Sequence, residues 1–194
     1  MSSLITVERL TSLLTLLPGV GRKTAQRYAY RIINLPETQV LELCDALMDV
    51  KRRVRYCDIC GNYTDKKTCD LCNSRNNTTI CVVKEPKDVL AFERVRDYSG
   101  GYHVLHGVLD PLNNVGPDDI GIALLMKRLS NVKEVIIATS TDTTGEATAQ
   151  YLARLIKPMG IIVSRIGSGI PMNSDIEYAD DLTLSRALTD RKIL

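Results

Sequence analysis

The sequence lacks the features that mark secreted and membrane proteins. No apolar run approaches the roughly 18 residues that a membrane-spanning helix needs. The first ten residues contain no basic segment followed by an apolar one, which predicts that there is no secretory signal. Opposite charges nearly cancel to a net +2, so composition alone does not indicate a nucleic-acid-binding protein. We therefore expect a cytoplasmic protein with no membrane partner, folded as one domain or two small ones over 194 residues.

Cysteine is scarce, but four of the six cysteines follow a regular spacing. They form two Cys-x-x-Cys pairs separated by eight residues, Cys57, Cys60 and Cys69, Cys72. Four soft thiolates suit tetrahedral Zn²⁺ and leave no open position for a catalytic water, so we predict one structural zinc per chain. Gly61 relaxes the turn after the first pair. Two disulfides or unconnected thiols are the alternatives, and zinc is favoured because nothing else in the chain indicates secretion.

The region before the cysteines, residues 1–54, is predicted to be helical. Leucines at helical spacing end at Pro18, a second helix should run from about Arg22 to Ile33, and Pro36 begins a third. The third helix has an apolar stripe that we expect to face inward, formed by Val40, Leu43, Cys44 and Leu47. Cys44 is accordingly interpreted as a buried small hydrophobic residue.

A glycine-containing hairpin, Leu17–Ala25, joins the first two helices. Its backbone N–H groups should open toward solvent at the start of the second helix, where they could bind a phosphate oxygen. Cations then follow at intervals of four residues on one helix face, in a region where basic residues outnumber acidic ones. The hairpin closely resembles the DNA-binding helix-hairpin-helix motif, and we predict sequence-independent DNA contact by Gly19, Gly21, Arg22, Lys23, Arg27 and Arg31. The alternative is an ordinary helix turn with a solvated basic face.

From Ile80 onward the pattern alternates between short β-rich runs and helical segments. This alternation predicts an α/β domain over residues 80–165, built on a mostly parallel sheet with flanking helices. The preceding residues, 55–79, form the predicted zinc module, which is too small for a core of its own and needs metal to fold. In a parallel sheet the carboxyl ends of the strands would bring together Lys84–Glu85 and Ser140–Asp142.

This arrangement resembles the Toprim fold of topoisomerases and bacterial primases. Active Toprim enzymes hold Mg²⁺ with a glutamate after the first strand and an Asp-x-Asp after a later one. In this sequence those positions fall on Lys84, Ser140 and Asp142. Because one carboxylate of three remains and a lysine would repel Mg²⁺, we predict no catalytic residue and no enzymatic activity.

Two other candidate sites have simpler interpretations. His103 and His106 lie three residues apart on a predicted strand, so their side chains should face opposite ways and act as ordinary strand residues. Thr143 and Glu146 match a capping box, with Thr143 as the N-cap of the next helix. After the last strand, Gly167-Ser168-Gly169 could cradle a phosphate but lacks the lysine of a P-loop.

The whole chain resembles the RecR family of bacterial recombination mediators. The pieces that carry the resemblance are the hairpin, the four cysteines and the segments Tyr102–Gly107, Val115–Asp119, Gly145–Ala149 and Asp175–Leu182. The clearest departures are Lys84, where many relatives have an acid, and Ser140–Thr144, where relatives typically have Asn-Pro and end with a glutamate. Both lie in the Toprim cleft and weaken any case for metal chemistry there.

The resemblance implies a non-enzymatic role in DNA repair and recombination. RecR-like proteins form homodimers or ring-shaped homotetramers, bind single-stranded and gapped duplex DNA, and act with RecO and RecF to load RecA at gaps. It also implies a nucleoid-associated location, an oligomerisation or docking role for residues 166–194, and a partner-binding surface at Asp142 and Glu146. The alternatives are a small Mg²⁺-dependent Toprim nuclease or primase-like enzyme that uses Asp142 and Glu146, or a zinc-bearing RNA-binding protein.

Overall fold

The computed structural model describes residues 4–167, 169–171 and 173–191, and the chain divides into two compact units after Val54. The first unit contains three helices, α1 (Ile5–Leu14), α2 (Arg22–Ile33) and α3 (Glu37–Arg53). Helices α1 and α2 pack against each other, and the buried residues at their contact are small: Thr11, Ala25 and Ala29. Short side chains let two helix backbones approach closely, which explains why this pair forms the centre of the unit.

Helix α3 differs from the sequence prediction. None of its residues is buried, Leu43 and Leu47 are 46% and 62% exposed, and Cys44 is exposed. The prediction of an inward stripe with a buried Cys44 is therefore wrong for the described unit. The apolar spacing is present, but three short helices enclose too little volume to cover every apolar face that they carry.

The second unit, residues 55–194, contains a two-stranded antiparallel ribbon and a four-stranded parallel sheet. The ribbon pairs β1 (Arg55–Tyr56) with β2 (Tyr63–Thr64), and the short helix α4 (Asp70–Ser74) follows it. The sheet has the order β4-β3-β5-β6, built from β3 (Asn76–Val83), β4 (Gly100–Val104), β5 (Glu134–Ala138) and β6 (Ile162–Arg165). Its helices are α5 (Pro86–Val95), α6 (Ile122–Met126), α7 (Thr143–Ile156) and, in the tail, α8 (Asp181–Thr189). The predicted α/β architecture with a parallel sheet is confirmed. The finer division of this unit at residues 79 and 165 stays a prediction.

The core lies on both faces of the central strand β3. Ile80 and Val82 belong to one buried cluster, together with Val135 of β5 and residues of α7, whereas Cys81 and Val83 belong to a second cluster with Tyr102. Alternate residues of a strand point to opposite faces, so a continuous apolar run is what a strand covered on both sides requires.

Two predicted elements have different bounds. The helix expected over Asp118–Leu129 is reduced to the five residues of α6, because turns occupy the Pro/Gly-containing approach to it. The strand expected over Tyr102–His106 ends at Val104, and His106 has a φ of 61° that no strand residue adopts. The interpretation of His106 as a strand residue is therefore wrong.

His103 is fully buried on β4 and keeps one unpaired nitrogen. Its Nε2 donates to the carbonyl of Gly121 at 2.8 Å, while Nδ1 has no partner among the described residues. Burial, with smaller contributions from the nearby Arg128 and His106, lowers the pKa of His103 to about 4, although the hydrogen bond to the Gly121 carbonyl acts in the opposite direction. The folded protein therefore holds a neutral imidazole whose charged form would be strongly disfavoured.

We predict that His103 makes the fold sensitive to mild acid. Because the unfolded imidazole binds a proton near its ordinary pKa of 6.5 and the folded one only near 4, unfolding becomes easier as the pH falls through this window. The full effect is on the order of 3 kcal/mol. His103→Gln keeps a side-chain N–H donor and removes the titration, so its free energy of unfolding should fall less between pH 7 and pH 4.5 in urea titrations. Parallel pH profiles for the two proteins would contradict this assignment.

Candidate zinc centre and nucleic-acid interface

The four cysteines of the predicted zinc module converge on one point. Their sulfur atoms all lie within 4.8 Å of one another, with 3.9 Å between Cys57 and Cys72 and 3.5 Å between Cys60 and Cys69. A tetrahedron with zinc–sulfur bonds of about 2.3 Å places its sulfurs about 3.8 Å apart, so the cluster fits zinc. All four cysteines are free thiols, which excludes the two-disulfide alternative in this structure.

Backbone hydrogen bonds shape the first Cys-x-x-Cys turn. The Gly61 amide donates to the carbonyl of Cys57 at 3.0 Å, and the Asn62 amide points at the sulfur of Cys60 at 3.5 Å. Gly61 has a φ of 74°, and a Cβ there would stand 2.9 Å from the carbonyl oxygen of Val104. Glycine is thus required at this position for its conformation and for the close approach of β4.

The four cysteine thiols shift one another's pKa values. Hydrogen bonding from Cys72 lowers the pKa of Cys60 to about 5 against the opposing effect of burial, whereas burial raises the pKa of Cys69 to about 11. Hydrogen bonding with Cys60 also raises the pKa of Cys72. Zinc binds the thiolate form of every ligand, so the bound ion keeps all four deprotonated and becomes easier to remove as the pH falls.

The zinc module is attached to the end of the parallel sheet. The Val104 amide at the end of β4 donates to the carbonyl of Cys60 at 2.8 Å, and His106 Nε2 donates to the carbonyl of Gly61 at 2.6 Å. Leu71 packs against both the cysteine cluster and the sheet cluster that contains Val83. Contacts with the sheet therefore stabilise the zinc module in addition to the metal. Sequence reasoning missed this role of His106, because nothing in the local pattern marks its left-handed backbone.

A second attachment lies just after α4. Arg75 contacts both carboxylate oxygens of Glu93 at 2.7 and 2.8 Å and donates to the carbonyl of Tyr98 at 2.7 Å. The Tyr102 hydroxyl donates to the same carboxylate at 2.7 Å. The guanidinium is thus anchored through Nη2 to Glu93 and through Nη1 to Tyr98, which fixes its orientation and holds the adjoining helix that carries Cys72 in place.

The predicted phosphate-binding hairpin lies between α1 and α2. Gly19 has a φ of 79°, which glycine adopts without strain, and Gly21 is the N-cap of α2. No side chain caps this helix end, so the amides of its first turn are left to solvent or a ligand. The arrangement agrees with the one expected from the sequence.

The cations of α2 differ in their availability. Arg22 forms an ion pair with Glu8 of α1 at 2.8 Å. Lys23, Arg27 and Arg31 are exposed, and no acidic side chain of the described ranges lies within 4.0 Å of them. On α2, Lys23, Arg27 and Arg31 are thus the cations that no acidic side chain of the described residues pairs.

The acidic residues of the Toprim-like cleft serve the fold. Asp142 is the N-cap of α7, where its Oδ1 accepts from the Gly145 amide at 2.7 Å and from the Thr144 hydroxyl at 2.9 Å. These bonds lower the pKa of Asp142. Thr143 is the first helical residue, so the capping box predicted from Thr143 and Glu146 is wrong.

The remaining charges of the cleft are also paired. Glu146 lies 3.5 Å from Arg165, and Lys84 lies 3.7 Å from Glu85, which itself contacts Lys87 at 2.6 Å. Among the residues that the structure describes, the four cysteines are the one cluster of three or more candidate ligands. A lysine and an arginine thus stand where a metal-dependent enzyme needs unpaired carboxylates.

The tail helix α8 reaches the same end of the sheet. Arg186 donates to the carbonyl of Thr141 at 3.0 Å and lines a cavity of about 390 Å³ together with Glu146 and Arg165. Of the predicted phosphate-cradling segment, Ser168 lies outside the described residues. The tail thus touches the cleft within one chain.

The parts described above match known protein families in their order along the chain. Four family models match consecutive segments: RecR helix-hairpin-helix over 7–51, RecR four-cysteine zinc finger domain over 54–74, Toprim domain over 78–167 and RecR C-terminal over 169–192. The zinc-finger match and the cysteine geometry agree that the chain carries one zinc ion. The described helices include none with the length and hydropathy to cross a membrane.

We predict that zinc is required for the fold of residues 56–79. Cys57→Ser or Cys72→Ser should lose the metal, because three thiolates no longer complete the tetrahedral shell. Elemental analysis should find about one zinc per wild-type chain, and hydrogen exchange at the Val104 amide should accelerate in the variants, since its acceptor belongs to the module. The exposed Cys44→Ser is the matched control and should keep its zinc. Purified wild-type protein without metal would refute the assignment.

We predict that Asp142 acts as a helix cap and holds no magnesium ion. Asp142→Ala should cost about 1 kcal/mol of stability, whereas Asp142→Asn should cost less because asparagine also caps. Magnesium should leave the melting temperature of all three proteins unchanged. If Mg²⁺ stabilises wild type but not Asp142→Asn, or if DNA cleavage depends on Mg²⁺ and Asp142, the cleft is a metal site.

Proposed function

The chain belongs to the RecR family, and from that premise we propose that it is a non-enzymatic DNA-binding mediator that helps load a recombinase on single-stranded gaps. The family assigns it a role in DNA recombination and repair. The observation that supports DNA binding by this chain is the exposed face of α2, where Lys23, Arg27 and Arg31 follow an uncapped glycine hairpin. Backbone amides and these cations together can neutralise several phosphates without reading bases.

The charge of one chain is too small for tight binding by itself. A net charge of +2 and one basic helix face make few phosphate contacts, so we propose that the protein acts as a homodimer or a homotetrameric ring. Copies of the same face raise affinity through effective concentration. The exposed apolar residues of α3, among them Leu47 and Val50 at 62% and 63%, support assembly.

The proposed partners are RecO and RecF, which would act with this protein to place RecA on DNA. Asp142 and Glu146 lie at the carboxyl end of the sheet and stay our candidate contact residues, although one caps a helix and the other pairs with Arg165. This loading of RecA would take place on the nucleoid in the cytoplasm. Catalysis has no part in the proposal, because Lys84 occupies the cleft and the nearby carboxylates are engaged.

We predict that Lys23→Glu with Arg27→Glu abolishes most DNA binding. Released counterions supply much of the affinity, so wild-type binding should weaken steeply with salt, and the variant should lose at least tenfold on single-stranded and gapped DNA because the change repeats in every subunit. Fluorescence anisotropy at several salt concentrations measures both effects. Circular dichroism and zinc content should stay at wild-type values, since both residues are exposed.

The matched control is Lys127→Glu with Arg154→Glu, which makes the same charge change at exposed positions of the second unit. It should bind DNA nearly as wild type does. Equal binding by the folded Lys23/Arg27 variant and wild type would show that the hairpin is an ordinary helix turn.

A further inference from the structure

Two tyrosines stack on the surface of the zinc module. Tyr56 and Tyr63 face each other across the β1–β2 ribbon, with ring centroids 5.6 Å apart and ring planes 18° from parallel. They are 55% and 54% exposed. Neither hydroxyl has a hydrogen-bond partner among the residues that the structure describes. A cross-strand aromatic pair stabilises a ribbon, but it does not require that half of each side chain remain in water.

The pair is held rigidly from one side. The His106 ring lies 4.1 Å from the Tyr56 ring, and its Nε2 is fixed by the carbonyl of Gly61. Gly61 follows a zinc ligand, and Val104, two residues before the histidine, bonds to Cys60. The metal centre and the parallel sheet therefore both position Tyr56. A preorganised flat surface loses little conformational entropy when a second flat group binds.

Positive charge also lies within the zinc module itself. Arg55 begins β1 directly before Tyr56, and its guanidinium contacts Asp58 at 3.0 Å while its side chain stays 55% exposed. Lys67 is exposed, with no acidic side chain of the described ranges within 4.0 Å. The module that carries the two tyrosines therefore retains positive charge for an anionic backbone.

We propose that Tyr56 and Tyr63 form a stacking platform for an unpaired base of single-stranded DNA, with Arg55 and Lys67 of the same module neutralising neighbouring phosphates. Exposed aromatic rings beside positive charge are how proteins hold single strands without reading sequence. Duplex DNA cannot use such a platform because its bases are already stacked on one another. The proposal rests on DNA binding as proposed above and adds a strand preference that the phosphate contacts of α2 do not supply.

The test compares leucine and phenylalanine at both positions. Tyr56→Leu with Tyr63→Leu removes the rings, whereas Tyr56→Phe with Tyr63→Phe keeps them and removes only hydroxyls that bond to none of the described residues. The leucine variant should bind a single-stranded oligonucleotide roughly tenfold more weakly or worse, and a duplex of equal length within about twofold of wild type. The phenylalanine variant should match wild type on both. Zinc content and circular dichroism report whether each variant is folded.

A second arm uses wild-type protein alone, so it stands even if the leucine variant fails to fold. Replacing bases of the oligonucleotide by abasic sites should weaken binding by about the same factor, because the phosphates remain and the stacking partner is gone. A 2-aminopurine in the strand should change its fluorescence on binding to wild type and the phenylalanine variant, and much less on binding to the leucine variant.

The outcomes separate this inference from the proposed function. If the folded leucine variant binds single strands as wild type does, or abasic sites leave affinity unchanged, the tyrosines only stabilise the ribbon and the platform is refuted. The Lys23/Arg27 variant, by contrast, should lose affinity for single-stranded and duplex DNA alike. If the Lys23/Arg27 variant loses DNA binding while the leucine variant binds as wild type does, the proposed function stands and this inference is overturned.

Discussion

Coordination of one metal ion by four thiolates is the constraint on which the zinc module, and the contacts made around it, depend. Residues 55–75 contain short elements and bury little beyond the cysteines themselves, so the ion supplies what a hydrophobic core would supply elsewhere. Once the sulfurs are fixed, the carbonyls of Cys60 and Gly61 stand where Val104 and His106 can reach them. The end of β4 and the Tyr56 ring are positioned in turn from this centre, while Arg75 anchors the module from the other side through Glu93 and Tyr98.

The two units use their charged groups in different ways. The first presents, on α2, an uncapped helix end and three exposed cations with no acidic partner among the described residues, which suit a phosphate backbone. The second uses the carboxylates of its Toprim-like cleft to cap α7 and to pair with Arg165. The sheet itself is stabilised by Ile80, Val82 and their buried neighbours, so its architecture does not depend on which side chains line the cleft.

Most secondary structure was predictable because its signals are local. Helix α2 follows a glycine hairpin and occupies the predicted range, and β3 shows the continuous apolar run of a strand buried on both faces. The predictions failed where the outcome depended on distant contacts. Cys44 lies on a correctly spaced apolar stripe, yet no neighbouring element of its unit covers it. Thr143 satisfies the capping-box pattern, yet the chain enters the helix one residue earlier and Asp142 takes the cap.

The sequence by itself determined the zinc ligands, the basic hairpin and the degraded cleft, because each is a matter of residue type and spacing along the chain. Only the tertiary structure decided which charges are available and what supports the metal centre. Arg22 is paired with Glu8 fourteen residues away, and His106 meets Gly61 forty-five residues away, through a backbone conformation that no local pattern announces. The stacked pair of Tyr56 and Tyr63 likewise exists only once β1 and β2 are in register. Contacts between residues far apart in the chain follow from packing, and packing is a property of the whole fold.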